Sequence, residues 1–224
     1  MITARDAGLA VADRFYQMRE QAKHVVGRTP SVRYDRGELA PVLLLPGVYE
    51  TWQFLRPVAD RLNALGHPIH TLRDLGYNRL TIVASAALAQ RYLDAENLTG
   101  VAIVAHSKGG LIAKHMMVTD DRAGRIDSLV AINSPFGGST LANWAPVRTL
   151  RAFSPRDETV MTLAANLAAN ARITSIYSRL DPLIPGGSEL EGAKNVCLSI
   201  VGHFRPLASP ALFAEVEGAI SSRR

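Results

Sequence analysis

Cysteine, long apolar runs and clustered charge are all scarce in this sequence of 224 residues, in which Cys197 is the single cysteine. A lone cysteine excludes an internal disulfide, and its place in an apolar run predicts a buried small side chain rather than a nucleophile. No segment is long and apolar enough to span a bilayer. The N-terminal residues carry charges throughout and lack the apolar stretch of a signal peptide. We therefore expect a cytoplasmic protein without stable membrane insertion.

Basic residues are in excess but are not grouped. The sequence has 25 Lys and Arg against 20 Asp and Glu, which gives a net charge of +5 and a pI near 9.7. Because there is no Lys/Arg tract and no nucleic-acid-binding motif, the charges indicate a solvated surface, and we expect no nucleic-acid partner. Hydrophobic residues make up 47% of the chain. That suffices for the core of one domain, predicted to span residues 1–224.

Short apolar segments alternate with segments of helical period along the chain. Strands are predicted within PVLLL, HPIHTLRDLG, VAIVAH, DSLVAIN, ITSIYSRL and NVCLSIV, with helices at 55–65, 80–93, after Ser107, at 160–167 and at 210–221. This alternation predicts a mostly parallel sheet with helices on both faces, a compact three-layer α/β/α sandwich. In such a sheet, functional residues collect in the loops at the carboxyl ends of the strands.

Two segments fall outside this alternation. Between residues 5 and 27, apolar side chains recur three or four apart, which predicts a helix, ended by Gly27, whose apolar face covers an edge of the sheet within residues 1–30. The residues of that face are Val11, Phe15, Met18, Ala22 and Val25. SVRY, residues 31–34, reads as a short edge strand. Residues 140–157 show no clean period and are long enough for a small lid at most.

The segment VAIVAHSKGG, residues 101–110, carries the strongest functional signal. A buried strand runs into a helix with Ser107 at the junction, and the small residues Ala105 and Gly109 stand two positions to either side. A sharp strand-to-helix turn needs small residues at these places if the serine is to sit in a strained conformation with its hydroxyl exposed. Ser107 is therefore the candidate nucleophile.

A serine hydroxyl needs a base within hydrogen-bond reach and a third group that orients the base. Asp181 follows one predicted strand, in SRLDPLIP, and His203 follows the next, in IVGHF. The order Ser, Asp, His along the chain is used by one of the unrelated serine-hydrolase folds. Asp157 is the alternative acid.

Over residues 41–222, the chain resembles the α/β-hydrolase fold proteins of the lipase and esterase kind, because four of its loops match theirs in the same order. AHSKGG resembles their nucleophile elbow, DPLIP their acid loop, GHF their base loop, and LLLPGVYETW their oxyanion loop, with Pro46 in place of the usual His. The resemblance implies a catalytic triad of Ser107, Asp181 and His203, and an oxyanion hole formed by the backbone N–H groups of Val48 and Lys108. It implies no metal and no cofactor.

The implied activity is hydrolysis of a small-molecule carboxylic ester, as in a carboxylesterase or small lipase. The same triad also serves acyltransferases, amidases and thioesterases, and a non-catalytic ligand-binding protein could retain it. Four aromatic residues are candidates for the substrate pocket: Tyr49, Trp52, Phe136 and Trp144. The Lys108 side chain is expected to be solvated at the pocket rim; the alternative is that it binds substrate and, with Arg148, Arg151 and Arg156, favours an anionic one.

Overall fold

The structure, a computed structural model, describes residues 4–26 and 34–221. Gly27, the proposed helix end, and most of the proposed SVRY strand lie outside the described residues. The strands are β1 Val42–Leu45, β2 Ile69–Thr71, β3 Val101–His106, β4 Ile126–Ile132, β5 Ile173–Leu180 and β6 Lys194–Val201. The α-helices are α1 Ala4–Val26, α2 Arg56–Ala64, α3 Ile82–Ala95, α4 Lys108–His115, α5 Arg148–Arg151, α6 Glu158–Ala165 and α7 Pro210–Ser221.

The six strands form one parallel sheet in the order β2-β1-β3-β4-β5-β6. Alternate side chains of a strand point to opposite faces of the sheet, so each strand supplies two separate cores. Leu43 and Leu45 pack with α3 and α4 on one face, whereas Val42 and Leu44 pack with α2 and α7 on the other. The predicted α/β/α sandwich with a parallel sheet is confirmed.

Local sequence explains where several helices begin. The Thr81 hydroxyl accepts a hydrogen bond from Ala84 N–H at the start of α3, and the Asp157 carboxylate accepts from Thr159 and Val160 N–H at the start of α6. Both residues are favourable N-caps because they satisfy N–H groups that have no partner inside the helix. Asp157, the alternative acid, is thus used as a helix cap.

Helix α1 forms, but its apolar spacing predicted the wrong buried face. Val11, Phe15 and Met18 are exposed, whereas Asp6 and Asp13 on the other side of the helix are buried. The helix lies against β6, and its buried face is held by polar contacts, among them an ion pair of 2.7 Å between Asp6 and Arg179 on β5. Apolar periodicity could not reveal this, because the docked face carries charges. The side chain of Val25 is not described.

One further detail differs from the sequence interpretation. Cys197 is exposed rather than buried, because β6 is an edge strand and the Cys197 side chain lies on the uncovered face.

Residues 140–157 contain a short 3-10 helix, Thr140–Trp144, and the single-turn α5. Within residues 4–26 and 34–221, no helix combines the length and the apolar character needed to cross a bilayer.

Candidate active site

Ser107 stands at the sharp turn between β3 and α4, with φ 50° and ψ −118°. A non-glycine residue rarely adopts positive φ, and such strain persists only where the surroundings impose it. Here the close packing of α4 imposes it: a Cβ at Gly109 would overlap the Leu45 carbonyl, and one at Gly110 would overlap the Ser134 hydroxyl. The two glycines thus let the helix approach the sheet, and Ser107 faces the cavity at the carboxyl edge of the strands.

His203 follows β6 and borders the same cavity as Ser107. Its Nδ1 lies 2.6 Å from Asp181 Oδ2, and both side chains are buried. Leu183 N–H donates to the other carboxylate oxygen at 2.8 Å. Burial of Asp181 opposes its ionisation, but the charge of His203 and the hydrogen bonds from His203 and Leu183 hold its pKa below its ordinary value. The acid is therefore ionised at neutral pH and fixes the orientation of the imidazole.

The loop after β1 and the start of α4 present backbone N–H groups to this region. In the part of the chain that the structure describes, neither Val48 N–H nor Lys108 N–H has a hydrogen-bond partner. Lys108 is the first residue of α4, so its N–H also lies at the positive end of the helix dipole. Free donors of this kind can bind a developing negative charge.

Pro46, which departs from the usual oxyanion loop, is supported from behind by Asn78. The Asn78 side-chain amide donates to the Pro46 carbonyl at 2.7 Å, and its oxygen accepts from the Ser85 hydroxyl at 3.2 Å. Asn78 itself has φ 49° and is fully buried. An amide from the loop after β2 thus supports the oxyanion loop at Pro46, the residue that replaces the usual histidine.

The Lys108 side chain points away from the Ser107 cavity and takes part in this support. It is only 1% exposed, which corrects the expectation of a solvated ammonium at the pocket rim. Its Nζ donates to the carbonyls of Asn78, at 2.9 Å, and Leu80. Burial lowers its pKa to about 8. The side chain therefore fixes the backbone of the loop that contains Asn78.

Glu50 and His106 connect the oxyanion loop with the base loop. The Glu50 carboxylate accepts from Gly47 N–H at 2.9 Å and from His106 Nδ1 at 2.9 Å. His106 Nε2 donates to the His203 carbonyl at 3.1 Å, and the Asn133 amide donates to the same carbonyl at 2.9 Å. One buried network therefore links the two loops.

The cavity beside Ser107 has a volume of about 260 Å³ and a mainly apolar wall. The apolar side chains that line it are Val48, Pro135, Leu141, Ala142, Ala145, Leu150, Phe153, Leu183, Ile184 and Phe204. Arg14 and Gln17 of α1 also border it. Since ligand pockets are typically apolar with a few placed polar groups, this composition suits an apolar group attached to a polar reacting centre.

Of the four aromatic pocket candidates, Tyr49 alone borders this cavity. Trp52 packs edge-on against Tyr34 at 5.6 Å, Phe136 is buried in the core, and Trp144 is 89% exposed at a separate surface depression. Trp52 and Phe136 are thus held in the packing of the two cores, and Trp144 is exposed to solvent.

The basic residues considered for anion binding are likewise elsewhere. Arg148 and Arg151 share a second cavity, of about 420 Å³, with the Lys108 side chain, and Arg156 lies beside Trp144. Arg14 is the basic residue that borders the Ser107 cavity. Among the residues at 4–26 and 34–221, no three His, Cys, Asp or Glu side chains are grouped to hold a metal ion.

Several residues of the network carried no sequence signal that would have selected them. Asn78 and Asn133 have positive φ, which asparagine tolerates, but loop asparagines of this kind are frequent. Glu50 is an acidic residue in an apolar loop, which is a weak sign of a buried role. Arg14 and Gln17 could not be placed at the site from the sequence because α1 lies far from it along the chain.

Comparisons with solved structures agree with this architecture. The mature form of the Bacillus licheniformis lipase BlEst2 superposes with a TM-score of 0.66 at 11% identity, covering 83% of this chain and 92% of that one. An extracellular α/β-hydrolase from Paenibacillus gives 0.57 at 15% identity, covering 83% and 99%. A structure from a study of carboxylesterases of Nitrososphaera gargenis gives 0.59 at 14% identity, covering 82% and 90%. The chain therefore has the fold of the α/β-hydrolase superfamily.

A sequence comparison also finds a match to part of the chain. The family model described as a PGAP1-like alpha/beta domain matches residues 71–150, which include β3, Ser107 and α4. No curated protein sequence matches the chain. The matched stretch contains the candidate nucleophile, whereas the Asp181 and His203 loops lie beyond it.

Proposed function

We propose that this chain is a serine hydrolase that cleaves carboxylic esters, as a carboxylesterase or small lipase, through an acyl-enzyme on Ser107. The observation that carries the proposal is that a strained serine and a buried His203–Asp181 pair meet at one cavity, which Val48 with its unpartnered N–H also borders, while the unpartnered N–H of Lys108 directly follows the serine. Hydrolase-fold relatives that include a lipase and carboxylesterases support the same reaction class.

In the proposed first step, the Ser107 hydroxyl attacks the ester carbonyl while His203 Nε2 takes its proton. The carbonyl oxygen becomes an oxyanion that accepts hydrogen bonds from the N–H groups of Val48 and Lys108. When the tetrahedral intermediate collapses, His203 returns the proton to the leaving alcohol, and the acyl group remains on Ser107.

In the second step, a water molecule replaces the alcohol. His203 takes a proton from this water, which attacks the acyl carbon, and the second collapse releases the carboxylic acid and restores the Ser107 hydroxyl. Asp181 stabilises the protonated imidazole in both steps because its carboxylate faces Nδ1 at 2.6 Å. It does not itself take the proton.

The cavity indicates the substrate class. With a volume of about 260 Å³ and walls of leucine, isoleucine, valine and phenylalanine, it fits a short or medium acyl chain rather than a long one. We expect p-nitrophenyl esters of increasing chain length to show a maximum of kcat/KM at short to medium chains.

Labelling with a fluorophosphonate probe tests the nucleophile directly. We expect one label, which peptide mapping places on Ser107, while Ser139, a second serine at the same cavity, remains unmodified. His203→Ala should lower both the labelling rate and kcat by about 10²–10⁴-fold, the contribution of general acid–base catalysis. Folded protein that is not labelled, or a label on Ser139, would overturn the proposal.

A matched pair of p-nitrophenyl ester and p-nitroanilide substrates with the same acyl group separates ester from amide hydrolysis. We expect hydrolysis of the ester and little of the anilide. Labelling of Ser107 together with faster cleavage of the anilide would retain the nucleophile and replace the esterase assignment with an amidase.

A further inference from the structure

Helix α1, at the opposite end of the chain from His203, places a buried carboxylate against the base loop. Asp13 is 2% exposed, and its oxygens accept from three consecutive backbone N–H groups: His203 at 2.9 Å, Phe204 at 2.8 Å and Arg205 at 2.8 Å. Bonds from N–H groups to a carboxylate are shorter and stronger than bonds between neutral groups. The contact spans 190 residues of sequence, so no local turn accounts for it.

The base loop is shaped to accept this carboxylate. Gly202, which precedes His203, has φ +124°, and a Cβ at this position would overlap the Asp13 carboxylate. Arg205 begins a short 3-10 turn, Arg205–Ala208, whose first N–H groups lack partners inside the turn. Asp13 supplies the missing acceptor, as an N-cap residue does, but from another element.

Both backbone polar groups of His203, its N–H and its carbonyl, are therefore fixed by buried side chains. Its N–H donates to Asp13, and its carbonyl accepts from His106 and Asn133. With the peptide groups on both sides fixed, and Nδ1 bound to Asp181, the imidazole has little freedom of position relative to Ser107. Catalysis is sensitive to such freedom, since small displacements of a reacting group cost large factors in rate.

From these contacts we infer that Asp13 is a positioning residue for the catalytic base, so that α1 forms part of the active site. This inference rests on the proposed function of His203. Arg14, the next residue of α1, and Gln17 border the Ser107 cavity, which places the same helix beside the substrate.

Asp13→Asn tests the inference because the amide keeps the size of the side chain but loses the charge and one acceptor. We expect kcat for the p-nitrophenyl ester to fall about 10-fold with KM changed less than about 2-fold, since the substrate contacts remain. Asp13→Ala should lower kcat further, and the rate of phosphonate labelling should fall in parallel. A loss of folding alone would lower the active fraction without slowing the labelling of the folded molecules.

Asp6→Asn is the matched control. Asp6 is buried on the same helix and tethers α1 to β5 through its ion pair with Arg179, whereas Asp13 binds the backbone of the base loop. If Asp6→Asn lowers kcat as much as Asp13→Asn does, Asp13 acts only as a tether of the helix and the inference is wrong. Unchanged kcat in Asp13→Asn would also overturn it.

A readout without substrate keeps this test separate from that of the proposed function. The His203 Nδ1 proton in its 2.6 Å hydrogen bond to Asp181 should give a downfield proton NMR signal, assigned by its loss in His203→Ala. We expect Asp13→Asn to shift or broaden the signal and Asp6→Asn to leave it in place. A wild-type protein that hydrolyses no ester would refute the proposed function, whereas an unaltered signal in Asp13→Asn would refute the positioning role.

Discussion

His106 Nδ1 lies 2.9 Å from both carboxylate oxygens of Glu50, and both side chains are buried. The other ring nitrogen, Nε2, faces the carbonyl oxygen of His203. An ionised carboxylate and a carbonyl are acceptors only, so this geometry favours a proton on each ring nitrogen, the imidazolium form of His106. Burial opposes this charge, but the charge of Glu50 and the hydrogen bonds outweigh burial and raise the pKa of His106. A buried ion pair therefore joins the oxyanion and base loops.

Replacing Glu50 by Gln should be strongly destabilising because it leaves a buried imidazolium without a counter-charge. Breaking a buried pair in this way costs about 3–5 kcal/mol in the free energy of unfolding. Glu217→Gln, which breaks the solvent-exposed pair with Arg61, should be far less destabilising, because solvent screens exposed charges. Urea denaturation of both variants at neutral pH measures the difference. Similar small losses in the two would mean that Glu50 and His106 are both uncharged in the folded protein.

The same pair predicts a dependence of stability on pH. Because the pKa of His106 is raised in the folded state above its ordinary value of 6.5, folding favours the protonated form. Its contribution is fully present below pH 6.5 and is lost as the pH rises through the folded-state value. We expect the difference in unfolding free energy between wild type and His106→Gln to shrink as the pH rises. Groups whose surroundings are the same in both proteins cancel in this difference. A difference that does not change with pH would exclude the charged form.

Asn133 offers a test of how the His203 carbonyl is held. This residue has φ 44°; its amide donates to the His203 carbonyl, and its oxygen accepts from Ser178 N–H at 2.8 Å. Asn133→Ala should cost about 1–3 kcal/mol for the groups left unpaired, plus about 1–2 kcal/mol of backbone strain. Asn97→Ala is the matched control, because Asn97 has φ 48° but is exposed. Urea denaturation should show the larger loss for Asn133→Ala, together with a lower kcat; equal losses would mean that backbone strain alone matters.

The fold could be predicted from the sequence because its elements carry strong local signals. Most of the six strands are short apolar runs, and the strongest of them, β3, leads into α4, whose Gly109 and Gly110 let the helix approach the sheet. The chain order of Ser107, Asp181 and His203 likewise predicts that they share one edge of the sheet, since the carboxyl ends of parallel strands lie together.

The supporting contacts could not be predicted for a physical reason. Asp13, Glu50 and Asn78 are polar residues whose partners are backbone groups of distant loops, and a backbone group leaves no mark in the sequence. The burial of the Lys108 side chain could not be predicted for the same reason. Its acceptor is the backbone carbonyl of Asn78, and without knowledge of that carbonyl a lysine is expected to be solvated. For helix α1, the apolar pattern predicts the wrong buried face, because the face that packs against the sheet carries the charged residues Asp6 and Asp13.

Because Lys108 and Arg14 lie in different places, their replacement should affect neutral and charged substrates differently. The Lys108 ammonium donates to the carbonyls of Asn78 and Leu80 and does not border the Ser107 cavity, whereas Arg14 does. Lys108→Met should weaken the support of the oxyanion loop, so kcat should fall by the same factor for neutral and carboxylate-bearing esters. Arg14→Gln should instead raise KM for carboxylate-bearing esters alone, because the exposed guanidinium acts only on a charge near it.

Steady-state kinetics on a matched pair of esters, one ending in a methyl group and one in a carboxylate, measures both effects. The ratio of the two KM values is the informative quantity, since general damage to the site changes both in the same direction. Added salt should reduce the Arg14 effect, because ions screen exposed charges, and should leave the Lys108 effect unchanged. A selective rise of KM for the carboxylate-bearing ester in Lys108→Met would show that this ammonium acts on the substrate.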